Sequence, residues 1–395
     1  MKLSRRAFVH ALGIGGAGAL SGTLVAARGR EDLVGRGRVP GRPDRSDWVP
    51  GLEDAKAVRL SSNENPNGPG ARALDAIHAA LGESHRYPFA YESSVTAAVA
   101  KKLGVGEDQV MASCGSGEIL RMCALAFTSS ARPLVAGLPT FEDPGATAKV
   151  IGAPVRAVRV DGSLKLDLAA MLAAVDGAGL VFLCNPNNPT STVHPDSVVR
   201  DFIRRVHRVS PETVILVDEA YHEYVDEPGY RTAIPIALEE PRVIVCRTFS
   251  KIYGMAGLRL GYAVARKETL DRLAPYQLSN NVNTLVAAAG VATLDDDERV
   301  VREQRLNREA RDFTRKAFAD MGYPSVESHT NFVMVPIRRD AKAFQDECRS
   351  HGILVGRLFP PLVDYTRISI GTMDEMRQAV DVFRRVLGVS TMSRG

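Results

Sequence analysis

One lysine of this sequence stands where a lysine can act as a nucleophile. Lys251 follows an apolar run beginning at Val243, which is typical of a buried strand, and a glycine-rich turn comes directly after it. A lysine at the mouth of a buried strand can form a Schiff base with an aldehyde. Taken alone, the pattern also fits an ordinary surface lysine. The residues at the ends of other predicted strands are needed to distinguish the two interpretations.

Two further apolar runs end in side chains that suit the same chemistry. Thr213–Val217 is followed by Asp218, whose carboxylate can keep a pyridine nitrogen protonated, and by Tyr221, whose phenol can donate to a phenolic oxygen. Leu180–Cys184 runs into a proline-rich turn that leaves the amide of Asn188 free to point at a ligand. In open α/β sheets, ligands bind beyond the carboxyl ends of strands. Together these strand ends indicate a site for pyridoxal 5′-phosphate (PLP).

A fourth strand end offers a place for the phosphate of that cofactor. The run Gln109–Ala112 leads into small residues, among them Ser116 and Gly117, and then into a helical pattern from Ile119. Backbone N–H groups at a helix N-terminus attract anions. Further donors for the same phosphate are Thr248, Ser250 and Arg259.

These motifs together resemble the class I and II aminotransferases, which are PLP enzymes of fold type I. The sequence is most similar to their histidinol-phosphate aminotransferase branch, and the resemblance extends over roughly residues 60–387. Leu60–Pro66 resembles the segment that folds over the active site in that family. His329–Phe332 and Thr366–Gly371 resemble strands of the small domain.

The resemblance also implies roles for individual residues. Phe141 stacks on the pyridine ring, Arg367 holds the substrate α-carboxylate through its planar guanidinium, and Asn188 is a second substrate-binding residue. Tyr87 reaches the cofactor phosphate of a neighbouring subunit, so the resemblance implies a homodimer.

Three positions depart from the family pattern. Ser191 stands where glycine is usual, and Phe141 stands where tyrosine is more common. Gly356 occupies the place where the histidinol-phosphate branch has an arginine for the substrate phosphate, and Arg357 is displaced from it by one residue. We therefore expect histidinol phosphate to be a poor substrate.

The expected activity is transamination between an amino acid, or a histidinol phosphate-like amine, and a 2-oxo acid, as in a histidinol-phosphate aminotransferase-like or an aromatic aminotransferase. Lys251 would act as general base and acid at Cα, while Asp218, Asn188 and Tyr221 tune the cofactor. A decarboxylase or lyase of the same fold is an alternative, because the Cα bond perpendicular to the ring decides which bond breaks. A non-catalytic binding protein built on the fold is a second alternative. The identity of the amino donor stays open.

Composition sets the broad class. Apolar residues make up 45% and charged residues 24% of the chain, as in soluble globular proteins. Five cysteines without a Cys-x-x-Cys pair predict neither a zinc site nor a disulfide scaffold. The formal charge is +4, and nothing in it predicts nucleic-acid binding.

The amino terminus resembles a twin-arginine export signal. Ser4–Val9 contains the arginine pair, and Ala11–Ala27 lacks charged residues but is too weakly apolar for a stable membrane anchor. We expect a signal over residues 1–27, export to an extracytoplasmic compartment, and a flexible linker over residues 28–50. If the signal is not functional, the protein stays in the cytoplasm.

Strands alternate with helical patterns in the rest of the chain, which predicts an α/β fold with a mostly parallel central sheet. We assign residues 51–84 to a segment that contributes to a small domain, 85–290 to a large PLP-binding domain, and 291–395 to a small α+β carboxy-terminal domain. The charged stretch Asp295–Met321 is predicted to be one long helix. Its solvated face would carry Glu298, Arg302, Glu303 and Arg305.

Overall fold

A computed structural model describes residues 57–389; the predicted signal and linker lie outside the described residues. The strands are β1 (Val58–Leu60), β2 (Val110–Ser113), β3 (Leu134–Leu138), β4 (Val155–Arg159), β5 (Leu180–Cys184), β6 (Val214–Asp218), β7 (Val243–Thr248), β8 (Gly261–Val264), β9 (Phe332–Pro336), β10 (Ile353–Val355) and β11 (Tyr365–Ser369). The α-helices are α1 (Ala71–Ala80), α2 (Phe89–Leu103), α3 (Ser116–Phe127), α4 (Asp143–Val150), α5 (Leu168–Ala173), α6 (Asp196–Val209), α7 (Ile234–Glu239), α8 (Lys267–Leu273), α9 (Thr284–Leu294), α10 (Asp297–Asp320), α11 (Ala341–Ser350) and α12 (Met373–Val386).

The central sheet has seven strands in the order β2-β8-β7-β6-β5-β3-β4. The neighbouring strands β7-β6, β6-β5, β5-β3 and β3-β4 pair in parallel. Only β8 runs antiparallel to its two neighbours, β2 and β7. Every residue of β5, β6 and β7 is buried, as expected for strands covered by helices on both faces. The predicted α/β class with a mostly parallel sheet is confirmed.

Two further sheets lie outside the central one. Strand β1 pairs in parallel with β10, and β9 pairs with β11 in antiparallel register. Their inward residues share a hydrophobic cluster with α10, α11 and α12, which includes Leu60 from the amino-terminal part of the described chain. Residues near position 60 thus pack with the carboxy-terminal elements. The domain boundaries at 84 and 290 stay predictions.

The long charged helix is present, but one of its predicted surface residues is not on the surface. Helix α10 has 24 residues and begins after a break that separates it from α9. Glu303, expected on the solvated face, is 3% exposed and forms an ion pair with Arg299, which is also buried. Its carboxylate also accepts hydrogen bonds from Asn65 and Asn67. Glu303 thus anchors residues 60–68, which we call the amino-terminal segment. Within residues 57–389, no helix is long and apolar enough to cross a membrane.

Candidate active site

The strand register brings the predicted site residues to one edge of the central sheet. Asp218 pairs with Cys184 on one side and with Cys246 on the other, so β5, β6 and β7 end together. Gly261 pairs with both Ser113 and Thr248, which places the end of β2 beside the end of β7. Side chains that follow these strands therefore share one crevice.

Lys251 lies in the turn after β7 and is covered by the amino-terminal segment. Its Nζ donates to the backbone oxygen of Asn63 at 3.2 Å and lies 5.5 Å from the centre of the Tyr221 ring. Burial and the nearby Arg367 guanidinium lower the pKa of Lys251 to about 8. A larger fraction of the amine is therefore neutral near neutral pH than for an exposed lysine, and the neutral amine is the nucleophilic form.

Close packing holds this cover in place. The Asn65 amide donates to the backbone oxygen of Ile252 at 2.9 Å. Gly254 has φ +69°, and a Cβ there would lie 1.9 Å from the backbone oxygen of Gly68. The glycine-rich turn after Lys251 thus allows the two backbones to touch.

Asp218 ends β6 as a buried carboxylate that is 3% exposed. It accepts the backbone N–H of Ala220 at 3.1 Å and the Cys246 thiol at 3.6 Å. In residues 57–389, no Lys, Arg or His side chain forms a salt bridge with it. Burial raises its pKa to about 6, although the Ala220 N–H and Lys251 favour the charged form. A cationic group of a ligand, such as a protonated ring nitrogen, would pair with the Asp218 carboxylate and balance its buried negative charge.

The Tyr221 side chain lies next to both Lys251 and the amino-terminal segment. Its hydroxyl accepts the side-chain amide of Asn63 at 3.0 Å, and its ring packs edge-on against Phe332. Burial raises the pKa of Tyr221, so the phenol keeps its proton near neutral pH.

A phosphate cradle forms where β2, α3 and the turn after β7 meet; we define it as Gly115, Ser116, Thr248, Ser250 and Arg259. Arg259 Nη1 donates to Ser250 Oγ at 3.3 Å, and Thr248 Oγ1 donates to the same oxygen at 2.9 Å. A Cβ on Gly115 would lie 2.3 Å from Arg259 Nη2. The first-turn N–H groups of α3, which include those of Ser116 and Gly117, have no acceptor within the helix. The cradle thus combines a guanidinium, hydroxyls and helix N–H groups, the donors that bind phosphate.

Arg367 and Asn188 lie together, and Arg367 also contacts the segment that covers Lys251. Arg367 Nη1 donates to Asn188 Oδ1 at 2.7 Å, and Nη2 donates to the backbone oxygen of Ser61 at 2.7 Å. The Nε atom of Arg367 is buried and has no acceptor in the described part of the chain. Phe359 and Phe332 place their rings 4.7 and 5.5 Å from the guanidinium. A carboxylate of a ligand would satisfy the unpaired Nε.

Phe141 follows the turn after β3, next to the Asn188 turn. The two turns are joined because Thr140 donates to Asn187 Oδ1 at 2.7 Å and Asn187 donates to the backbone oxygen of Pro139 at 3.1 Å. Ser191, where the family has glycine, has φ +65°, and its hydroxyl donates to the backbone oxygen of Glu327 at 2.9 Å. The serine thus adopts the left-handed backbone that favours glycine and adds a bond to the carboxy-terminal part.

Position 356 has no room for the arginine of the histidinol-phosphate branch. A Cβ on Gly356 would lie 2.6 Å from the backbone oxygen of Arg367. The next residue, Arg357, pairs with Glu142 at 2.6 Å and stacks over Phe359 at 4.3 Å. The guanidinium of Arg357 is thus already paired with a carboxylate.

Tyr87 is not brought to the cradle of its own chain. It is 74% exposed, lies 5.8 Å from the ring of Phe89, and forms no hydrogen bond with the cradle residues in the described chain.

Three contributors had no individual role predicted from the sequence. Asn63 contacts both Lys251 and Tyr221, and the resemblance pointed only to its segment, Leu60–Pro66, as a cover of the active site. The carbonyl of Ser61 lies in the same segment and likewise had no predicted role of its own. Glu219 and Arg247 form a buried pair at 2.9 Å that joins the ends of β6 and β7, and a charged residue within an apolar strand run is the signal that could have found it.

The residues at this edge fit PLP. An uncompensated buried carboxylate, a lysine of lowered pKa, an unpaired buried arginine nitrogen and an anion cradle surround one crevice. They match the ring nitrogen, aldehyde, substrate carboxylate and phosphate in turn.

Comparison with known proteins agrees with this geometry. The family model "Aminotransferase class I and II" matches residues 55–383. A histidinol-phosphate aminotransferase of Symbiobacterium thermophilum is 38% identical over 355 residues, which cover 89% of this chain and 96% of that protein. A histidinol-phosphate aminotransferase of Sinorhizobium meliloti, solved in complex with pyridoxal-5′-phosphate, superposes with a TM-score of 0.80 at 27% identity and covers 90% of this chain and 99% of that one. The predicted aminotransferase activity and the PLP cofactor are confirmed at the level of the family. The chain belongs to the class I and II aminotransferases.

Proposed function

We propose that this chain transfers an amino group from an α-amino acid to a 2-oxo acid, with PLP bound covalently at Lys251. The cofactor, when bound, supplies an electron sink for the electron pair left at the substrate Cα. Once the amino group of the substrate has displaced it from the cofactor, the free Lys251 Nζ would take the Cα proton and later return a proton, as general base and acid. Asp218 holds the ring nitrogen protonated, and the cradle binds the phosphate.

The observation that carries the donor class is the unpaired Nε of Arg367. A buried guanidinium beside Asn188 suits a carboxylate, and a charge-assisted hydrogen bond there contributes about 1.5–3 kcal/mol. This arrangement favours transamination over decarboxylation, because a tightly held carboxylate is a poor leaving group. It also favours an amino acid over a donor without an α-carboxylate.

A panel of amino donors with 2-oxoglutarate tests the proposal. Purified enzyme should convert its cofactor to the amine form with a good donor and regain the original absorption when a 2-oxo acid is added. Arg367→Lys should lower kcat/KM for amino acids by roughly ten- to a hundredfold, because lysine lacks the planar guanidinium. Release of carbon dioxide without transfer of the amino group would contradict transamination.

Histidinol phosphate is the second candidate donor, and the names of the relatives favour it. The contacts around Gly356 and Arg357 argue against it, because no free arginine side chain is available at these two positions. We propose that an unphosphorylated amino acid with an uncharged side chain is the better donor. Side-by-side values of kcat/KM for histidinol phosphate and phenylalanine decide between them, and a clear preference for the phosphate ester would overturn this choice.

We further propose a homodimer in which Tyr87 serves the cradle of the neighbouring subunit. Support comes from the family resemblance and from the exposure of this aromatic side chain. Mixing inactive Lys251→Ala with Tyr87→Ala subunits should restore activity, because one site of each hybrid then regains both groups. A fully active monomer would contradict the proposal.

Export by the twin-arginine route also stays a proposal, since the signal lies outside the described residues. Its support is the Arg5-Arg6 pair followed by an uncharged stretch. Cell fractionation should find the chain outside the cytoplasm, and an Arg5→Lys, Arg6→Lys variant should remain inside. Equal distribution of both would contradict export.

A further inference from the structure

Asn63 contacts both proton-carrying groups of the site. Its side-chain Nδ2 donates to the Tyr221 hydroxyl at 3.0 Å, and its backbone oxygen accepts Lys251 Nζ at 3.2 Å. The residue is 1% exposed and belongs to the amino-terminal segment, more than 150 residues from either partner along the chain. A segment that only shielded the site from solvent would not need hydrogen bonds to Tyr221 and Lys251.

Other residues fix the orientation of the Asn63 amide. Ser369 Oγ accepts the backbone N–H of Asn63 at 2.8 Å and donates its own proton to Asn63 Oδ1 at 2.8 Å. Because that hydroxyl donates to Oδ1, the NH₂ end of the amide faces Tyr221. Asn331 donates to the Asn63 backbone oxygen at 3.0 Å, and the φ of +55° is one that asparagine tolerates. The amide is thus held from two sides.

This orientation determines what the phenol can do. The Tyr221 oxygen uses a lone pair to accept from Asn63, so its own proton must go to another acceptor. Within residues 57–389, no other hydrogen bond involves that hydroxyl. The proton is therefore available for an anionic oxygen of a ligand in the crevice.

We propose that Asn63 is a positioning residue that holds the Tyr221 hydroxyl as a hydrogen-bond donor toward the phenolic oxygen of bound PLP, an inference that rests on the proposed function. Its backbone oxygen meanwhile holds Lys251 in the crevice before the cofactor arrives. The amino-terminal segment thereby takes part in setting the proton equilibrium of the bound cofactor.

The test is a pH titration of the cofactor absorption in the resting holoenzyme. In Asn63→Asp, which is isosteric and tolerates the same backbone, the carboxylate attracts the phenol proton. The midpoint of the titration, which is the pH at which the absorption change is half complete, should then rise by about one pH unit. The reason is that the hydrogen-bond donor to the phenolic oxygen of the cofactor is lost. In a Tyr221→Phe background, the same substitution should shift the midpoint by less than a third of that amount.

Two further variants keep the test decisive. Asn67→Ala loosens the same segment, because it removes the hydrogen bond from Asn67 to Glu303. Since Asn67 forms no hydrogen bond with Tyr221, this variant should leave the midpoint unchanged. If Asn63→Asp does not bind PLP, Asn63→Gly removes the amide without backbone strain. It should lower kcat more than it changes KM, with a smaller midpoint shift that vanishes in the Tyr221→Phe background.

The outcomes separate this inference from the proposed function. An equal shift with and without the Tyr221 hydroxyl would mean that the introduced carboxylate acts only through its charge, and it would overturn the inference. So would an unchanged midpoint in Asn63→Asp. In either case, the wild-type protein would still bind PLP and turn over, whereas failure of the proposed function would leave no cofactor band to titrate.

Discussion

Asp218→Asn should make the cofactor-free protein more stable while it weakens the holoenzyme. Asp218 is buried without a cationic side chain bound to it in the described part of the chain, and its pKa is raised to about 6 from 3.8. That difference corresponds to about 3 kcal/mol, by which ionisation of this carboxyl disfavours the folded apo state. Asparagine keeps an acceptor for the Ala220 N–H and has no charge to bury.

The pH dependence follows from the sign of the shift. Below about pH 3, the carboxyl is mostly protonated in both the folded and the unfolded state, so the substitution gains little. As pH rises from about 3 to 6, the unfolded state ionises first and the cost of the buried group grows. The variant should therefore gain about 3 kcal/mol at pH 8 and about 1 kcal/mol at pH 4.5.

Thermal unfolding of the apo proteins provides the assay. At pH 8 the gain corresponds to a Tm increase of about 4 °C for a chain of this size. Asp201→Asn, which replaces an exposed carboxylate on α6, should leave Tm nearly unchanged. With PLP, the order should reverse, because the wild-type carboxylate pairs with the ring nitrogen and the variant should bind PLP roughly ten- to a hundredfold more weakly. An apo variant that is no more stable than wild type, or a gain that is the same at both pH values, would refute this reasoning.

Three other outcomes are expected. The rate of covalent PLP attachment to the apo protein should rise with pH and level off above about 8, and at pH 7 Lys251 should have roughly 300-fold more neutral amine than an ordinary lysine; a rate still rising steeply at pH 10 would contradict this. Gly261→Ala puts a Cβ 2.4 Å from the backbone nitrogen of Ser116 in the cradle. Equilibrium binding should therefore show a weaker PLP affinity, and the free energy of unfolding should fall by about 1–3 kcal/mol. Gly257→Ala, where a Cβ meets open space, should change neither quantity. Glu142→Gln frees Arg357 from a partly exposed pair and should raise kcat/KM for histidinol phosphate relative to phenylalanine about two- to fivefold; an unchanged ratio would mean that Arg357 does not face the substrate.

Local patterns were sufficient to predict the strand ends that carry the chemistry. Apolar runs of about five residues ending in Asp218 or leading to Asn188 and Lys251 predict parallel strands, and parallel strands bring their carboxyl ends to one edge. The long charged helix is predicted over Asp295–Met321 and extends from Asp297 to Asp320. Such signals are short-range, so a single sequence contains them.

The remaining features depend on contacts between distant parts of the chain. Glu303 looked like one of many charges on a solvated helix, but the amino-terminal segment buries it through Asn65 and Asn67. No spacing rule joins Asn63 to Tyr221, or Gly356 to the backbone of Arg367. These contacts form only once the amino-terminal segment and the carboxy-terminal strands meet over the central sheet.

The central claim is that Lys251 is the residue that binds PLP covalently and moves the substrate proton. Borohydride reduction of the purified holoenzyme, followed by peptide mass spectrometry, should place the phosphopyridoxyl group on the peptide that contains Lys251. Lys251→Ala should carry no reducible linkage and should lose essentially all turnover, whereas Lys267→Ala, at a surface site on α8, should behave like wild type. A phosphopyridoxyl group on a different lysine, or wild-type turnover in Lys251→Ala, would contradict the account.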